Sequence, residues 1–183
     1  MDELPRQARN VLEAARGLGL ELDVREFPDG TRTARDAARA VGCAVEQIVK
    51  SLVFMADGRP VLVLTSGGNL VDPDKVAREL GATHVRKADA DQARAATGYA
   101  IGGTPPFGHP RPIQMLIDQD LTRLDTLWAA AGTPRHVFPI ASGDLLRASD
   151  GRVCDVAQER ATAATPRGRV TDSAIIGGAR SPT

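Results

Sequence analysis

Two apolar runs joined by an Asp-Gly corner constrain this chain more than any other stretch. Residues 48–55 and 60–65 flank Ala56-Asp57-Gly58, and Asp-Gly accepts the positive φ angles that a tight antiparallel hairpin demands. Strands this apolar belong at the centre of a sheet, where both faces are covered. The first run also contains Lys50. A period of two puts Ile48, Lys50, Leu52 and Phe54 on one face and Val49, Ser51, Val53 and Met55 on the other. An ammonium in that company must reach water, a carboxylate or an anionic ligand. Two readings fit: it snorkels to solvent from the start of the strand, or it is a cation aimed into a cleft to bind a phosphate or ribose.

Around the hairpin, helices and strands are interspersed. Residues 4–17 carry apolar side chains at helical spacing, and Leu20, Leu22 and Val24 alternate with charged residues as a half-buried strand does. Pro28-Asp29-Gly30 predicts a turn. Thr33 and Asp36 open a helix that ends at Gly42, and Asp72-Pro73 opens another that runs to about Leu80 with Gly81 beyond it. A short helix is expected over 89–97, strands over 113–118, 124–129 and 137–140, a helix over 142–148 and a last strand near Val153. Strict strand–helix alternation is missing, which excludes a doubly wound parallel fold. The expected class is α/β of the α+β type: a mixed, mainly antiparallel, curled sheet surrounded by short helices. Residues 1–158 are expected to form this domain. Residues 159–183, dominated by Ala, Thr, Pro, Gly, Arg and Ser, are expected to form a flexible tail.

The second unusual segment is the loop Gly98-Tyr-Ala-Ile101-Gly102-Gly103-Thr104-Pro105-Pro106-Phe-Gly108. Glycine and proline at this density suit neither helix nor strand. It is either a tight connection or a place where a ligand approaches the backbone, whose free amides can hold an oxyanion. Ser66-Gly67-Gly68-Asn69 is a second corner, read as a turn or as the opposite lip of a cleft. No P-loop, nucleophile elbow or metal-ligand spacing is present, and neither a metal nor another cofactor is expected. His109 is either a base or a solvated loop residue, and Asp118 and Asp120 are expected to cap a turn. Cys43 and Cys154 lack any disulfide or zinc pattern. The 23 basic and 23 acidic residues cancel, which argues against a protein that coats nucleic acid through its overall field but allows contact with one RNA end. No stretch approaches the ~20 apolar residues of a membrane span and no leader pattern opens the chain, so a cytoplasmic location without membrane association is expected.

The order Ile48-Val-Lys50-Ser-Leu-Val, Leu64-Thr-Ser66-Gly67, Thr97 through Gly108, and Ile117-Asp118-Gln-Asp-Leu121 resembles the YbaK/EbsC family of aminoacyl-tRNA editing proteins, relatives of the insertion domain of bacterial prolyl-tRNA synthetase. The resemblance runs from about residue 4 to 157. It implies a freestanding deacylase that removes a wrongly attached amino acid, cysteine or alanine on proline tRNA being first choices. It also implies transient contact with the tRNA 3′ acceptor end and with a partner synthetase; the oligomeric state is left open. Lys50 is then the residue on which activity depends, with Gly102 and Gly103 offering backbone donors to the ester carbonyl. Phe27, Ser66, Gly67, Ile101, Thr104, Pro106, Gly108 and Asp118 complete the implied pocket. The chemistry implied is substrate-assisted, through a ribose hydroxyl or a cysteinyl thiol. Phe27 stands where some relatives have tyrosine. The rival expectation is a binding module that holds a nucleotide, an aminoacyl adenylate or a synthetase without turnover.

Overall fold

In a computed structural model that describes residues 4–31 and 33–159, the hairpin forms as its sequence dictates. Strands β2 (Val49–Ala56) and β3 (Arg59–Ser66) pair antiparallel from Val49–Ser66 to Ala56–Arg59. At the corner Asp57 and Gly58 take φ of 47° and 80°, the paired left-handed angles of a two-residue turn. The other elements are α1 (Arg6–Gly17), β1 (Arg25–Glu26), α2 (Ala34–Val41), α3 (Pro73–Leu80), β4 (Val85–Lys87), α4 (Ala90–Thr97), β5 (Gln114–Asp118), β6 (Thr126–Ala130), β7 (His136–Ala141), α5 (Ser142–Ser149) and β8 (Arg152–Cys154), with 3-10 turns at Val45–Gln47 and Gln119–Arg123.

These strands make a five-stranded sheet in the order β4-β2-β3-β5-β8 and a three-stranded sheet in the order β1-β7-β6. The β3–β5 and β5–β8 pairs are parallel and the rest antiparallel, so the mixed, mainly antiparallel class expected from the sequence is what forms. A lone parallel bridge from Ile48 to Trp128 links the two sheets. A cavity lies beside that bridge, lined by residues of both sheets.

The two faces of β2 serve different cores. Val49, Val53 and Met55 pack with Leu62, Leu64, Ile117, Leu127 and Phe138 in the main core, whereas Leu52 and Phe54 pack with Val61, Val63, Val76 and Leu116. Capping is local and matches the sequence. Thr33 accepts from the Asp36 N–H, Asp72 from Asp74 and Lys75, and Asp89 from Gln92, supplying acceptors for first-turn donors that have no partner within the helix. Gly42, Gly81 and Gly98 end three helices in the left-handed conformation.

Two expectations need correction. Leu20, Leu22 and Val24 alternate inward, but the ladder forms only at Arg25–Glu26, against Val137 and His136 of β7. Alternation reports burial of one side of a chain, and a ladder additionally requires a neighbouring strand in register. Strand β4, by contrast, is absent from the expectations. It is short and polar, and it exists because β2 offers an edge to Phe54–Ala56. Of the tail expected over 159–183, everything from residue 160 on lies outside the described residues. No helix among them is long and apolar enough to cross a membrane.

Candidate functional site

The cavity beside the Ile48–Trp128 bridge measures about 460 Å³, within the range of small-ligand sites. Its apolar wall comes from α2 (Ala34, Ala37, Val41), from Ile48 and Val49, and from Trp128, Ala129, Ala130 and Val137. Lys50 lines it from β2, Gly67 from the corner after β3, and Ile101, Gly102 and Thr104 from the glycine loop. The two segments suspected as opposite lips thus meet at one cavity.

Lys50 is half-buried and donates from Nζ to the backbone carbonyl of Asn69. Burial depresses its proton affinity below the ordinary lysine range, the charge of Asp118 opposes that, and Lys87 adds to it. Asn69 is itself fixed: its Nδ2 donates to Asp118 Oδ2 at 2.8 Å and to Asp120 Oδ2 at 2.9 Å. Asp118 has no exposed surface. Its Oδ2 also accepts from Thr65 Oγ1 at 2.8 Å and from the Ser66 N–H at 3.2 Å, and its Oδ1 accepts from the Asp120 N–H at 3.0 Å. Asp118 therefore shapes the corner that holds Lys50, and it stands fully buried outside the cavity wall. Asn69 had only its place in a Ser-Gly-Gly-Asn corner to mark it.

Other expected residues also stand away from the cavity wall. Ser66 gives its hydroxyl to the Glu46 carbonyl at 2.8 Å. Phe27 packs on the cluster of Ile48, Trp128 and Val137. Gly103 donates its N–H to the Ala100 carbonyl at 3.0 Å, and a Cβ there would sit 2.7 Å from Thr133 Cα; its glycine is needed for close packing. Gly108, at φ 78°, would place a Cβ 2.8 Å from that of Ala14 in α1, and Pro106 is buried outside the wall. Gly102 differs: it lines the cavity at φ 85°, and its N–H has no acceptor among the described residues. His109 lies outside the wall with Nε2 2.9 Å from the Pro105 carbonyl. Burial holds its imidazole below the usual range, against the opposing pull of that carbonyl.

Sequence reasoning missed Ser51, Arg35 and Trp128 as wall residues, and it marked Lys87 only as one of several basic residues, with Arg86, Arg111 and Arg123, that either help a tRNA contact or are solvated surface charges. The Ser51 hydroxyl is buried with no partner among the described residues, and its place beside Lys50 was the only available signal. Trp128 is the sole tryptophan, which makes its fluorescence a reporter of the cavity. No carboxylate, histidine or cysteine belongs to the wall as described. Burial also pushes the Cys154 thiol up to about 11, leaving it protonated and unreactive at neutral pH.

Gly67 provides a test of how tightly the corner is built. Its φ is not left-handed, so room is what selects glycine. A Cβ would fall inside contact distance of the Val45 carbonyl oxygen, 2.9 Å from Ala34 Cβ and 3.1 Å from Ile48 Cβ. Gly67→Ala is expected to cost about 3 kcal/mol, read as a lower midpoint in chemical denaturation. An unchanged midpoint would mean the corner yields freely.

The profile of the aminoacyl-tRNA editing domain matches residues 28–148. A crystal structure of a candidate trans-editing enzyme for prolyl tRNA synthetase superposes with a TM-score of 0.81 at 42% identity, covering 86% of this chain and 100% of that one. The YwhH protein of Bacillus subtilis is 28% identical over 133 residues, 73% of this chain and 85% of that protein. The proline–tRNA ligase of Xanthomonas oryzae pv. oryzae is 31% identical over 117 residues, 64% of this chain but 21% of the ligase, so the match spans about a fifth of that enzyme.

Proposed function

Because this chain belongs to the aminoacyl-tRNA editing domain family, we propose that it acts as a freestanding hydrolase of misacylated tRNA, with cysteine or alanine on proline tRNA as the substrates to try first. The single observation that carries the reading is Lys50, a cation held at the wall of a cavity that has no acidic side chain among the described residues lining it. Such a cavity favours an anionic ligand, and a tRNA 3′ end supplies one.

The chemistry proposed is substrate-assisted. An aminoacyl ester is already activated, so holding it in the reactive geometry and stabilising the developing oxyanion supply much of the rate. Lys50 would position the terminal nucleoside. The unpaired Gly102 amide is the loop donor available to the ester carbonyl, and the unpaired Ser51 hydroxyl gains a partner once a ligand is present. A neighbouring ribose hydroxyl, or the thiol of a cysteinyl ester, would take the part that protein nucleophiles play elsewhere. The small side chains of Ala34, Ala37, Ala129 and Ala130 suit a small aminoacyl group, although one methylene is worth only about 1–3 kcal/mol in discrimination.

The test is to incubate purified protein with tRNAs charged with cysteine, alanine, serine or proline and to follow release of the amino acid. Release from cysteinyl- or alanyl-tRNA well above the uncatalysed rate is expected. If no charged tRNA loses its amino acid faster than background, the protein is not a deacylase of these substrates.

A further inference from the structure

The cavity has a charge pattern that one lysine does not exhaust. Its charged wall residues are Arg35, Lys50 and Lys87, all cations, in a chain whose basic and acidic residues balance at 23 each. Five cations outside the wall are paired locally: Arg25 with Asp23, Lys75 with Asp155, Arg123 with Asp120, Arg147 with Asp144 and Arg152 with Glu79. Neither Arg35 nor Lys87 has an ion-pair partner among the described residues.

Register explains how Lys87 reaches the site. It stands opposite Phe54 in the β2–β4 ladder, and Phe54 shares a face of β2 with Lys50 four residues earlier, about 13 Å along the strand. Both lysines therefore rise from one side of the sheet. Lys50 is committed to the Asn69 carbonyl, whereas Lys87 lies on an exposed edge strand. The two like charges act on each other, and an anion between them relieves that repulsion.

We propose that Lys87 of β4 and Arg35 in the first turn of α2 form a second anion site at the cavity mouth, one that holds a backbone phosphate of the single-stranded RNA end whose terminal nucleoside reaches Lys50. The proposal rests on the reading that the cavity takes a tRNA 3′ end. Lys87 and Arg35 are positioning residues: they fix the strand's entry and take no part in bond breaking.

The experiment uses the full chain and uncharged RNA, a short oligonucleotide with a free single-stranded 3′ end, with binding followed by Trp128 fluorescence across a range of salt. For Lys87→Gln the slope of log K against log salt is expected to fall by about 0.7, the loss of one single-strand phosphate contact. With an aminoacylated tRNA that the protein hydrolyses as substrate, KM should rise about fivefold while kcat stays within twofold, and Lys87→Arg should restore both slope and KM. Arg35→Gln should flatten the slope likewise. A Lys87→Gln protein with the wild-type slope overturns the proposal, as does inorganic phosphate competing as well as the oligonucleotide, which marks a free-anion site. Because binding is read without turnover, a chain that binds with this slope yet hydrolyses nothing sinks the deacylase reading and leaves this one standing. Deacylation with a slope unmoved in Lys87→Gln does the reverse.

Discussion

Lys50→Ala is expected to lower kcat/KM for deacylation by about 10²- to 10³-fold, equivalent to roughly 3–4 kcal/mol of transition-state stabilisation. The size of the effect comes from replacing a charge fixed at the wall of a largely apolar cavity by a methyl group. The fold should survive. Among the described residues the lysine's only hydrogen bond is to the Asn69 carbonyl, which cavity water can satisfy, and truncation also removes a charge that burial disfavours. Lys50→Arg is not expected to rescue activity, since a forked guanidinium does not reproduce one ammonium on one carbonyl. Wild-type rates in the alanine variant would exclude Lys50 from the reaction.

The same residue carries a pH signature. Burial places its proton affinity below the ordinary lysine value of 10.5, so the unfolded chain holds that proton more tightly than the native one. Stability from this group therefore rises as pH climbs through the native-state value toward the unfolded one. Ligand binding that needs the ammonium is lost over the same alkaline interval. Subtracting the pH–stability curve of Lys50→Met from that of the wild type isolates the rise, and a flat difference curve would contradict the assigned direction.

Asp118→Ala is expected to cost about 3–5 kcal/mol of stability and to reduce activity together with it. The carboxylate is fully buried, and its removal leaves Thr65 Oγ1 and the Ser66 N–H without an acceptor and releases one of the two bonds holding Asn69. Since the Asn69 carbonyl holds Lys50, disorder at the corner passes directly to the cation. Asp118→Asn separates shape from charge. Its amide oxygen can replace Oδ2 and keep the three bonds made there, at the loss of the Asp120 N–H bond to Oδ1, while the charge that supports the Lys50 ammonium is gone. This variant should stay folded and lose binding at lower pH than the wild type. An asparagine variant with the wild-type pH profile, and an alanine variant with the wild-type denaturation midpoint, would together reduce Asp118 to a bystander.

The residues differ in how much of this was legible beforehand. Asp57-Gly58 encodes a hairpin locally, and Thr33, Asp72 and Asp89 with Gly42, Gly81 and Gly98 mark helix ends by side-chain reach and backbone freedom alone. Lys50 was conspicuous because a charge in an apolar strand needs an explanation. The glycine loop was conspicuous too, yet composition does not distinguish Gly102 at the cavity from Gly103 and Gly108, whose missing side chains make room for Thr133 and Ala14. Alternation over Leu20–Val24 gave burial without a ladder, and β4 owes its existence to an edge that β2 provides.

By itself the sequence determined the hairpin, the capped helices and the mixed sheet class, and it singled out one lysine and one glycine-rich loop, because each is written in local periodicity, turn chemistry or an out-of-place charge. Only the tertiary structure decided what those features touch. It anchored Lys50 through Asn69 to an Asp118 some fifty residues away from that asparagine, removed Asp118 and Gly103 from the wall, and gathered Arg35, Lys50 and Lys87 around a cavity without a carboxylate. Strand register and the packing of the two sheets bring distant residues together, and no local pattern carries that information.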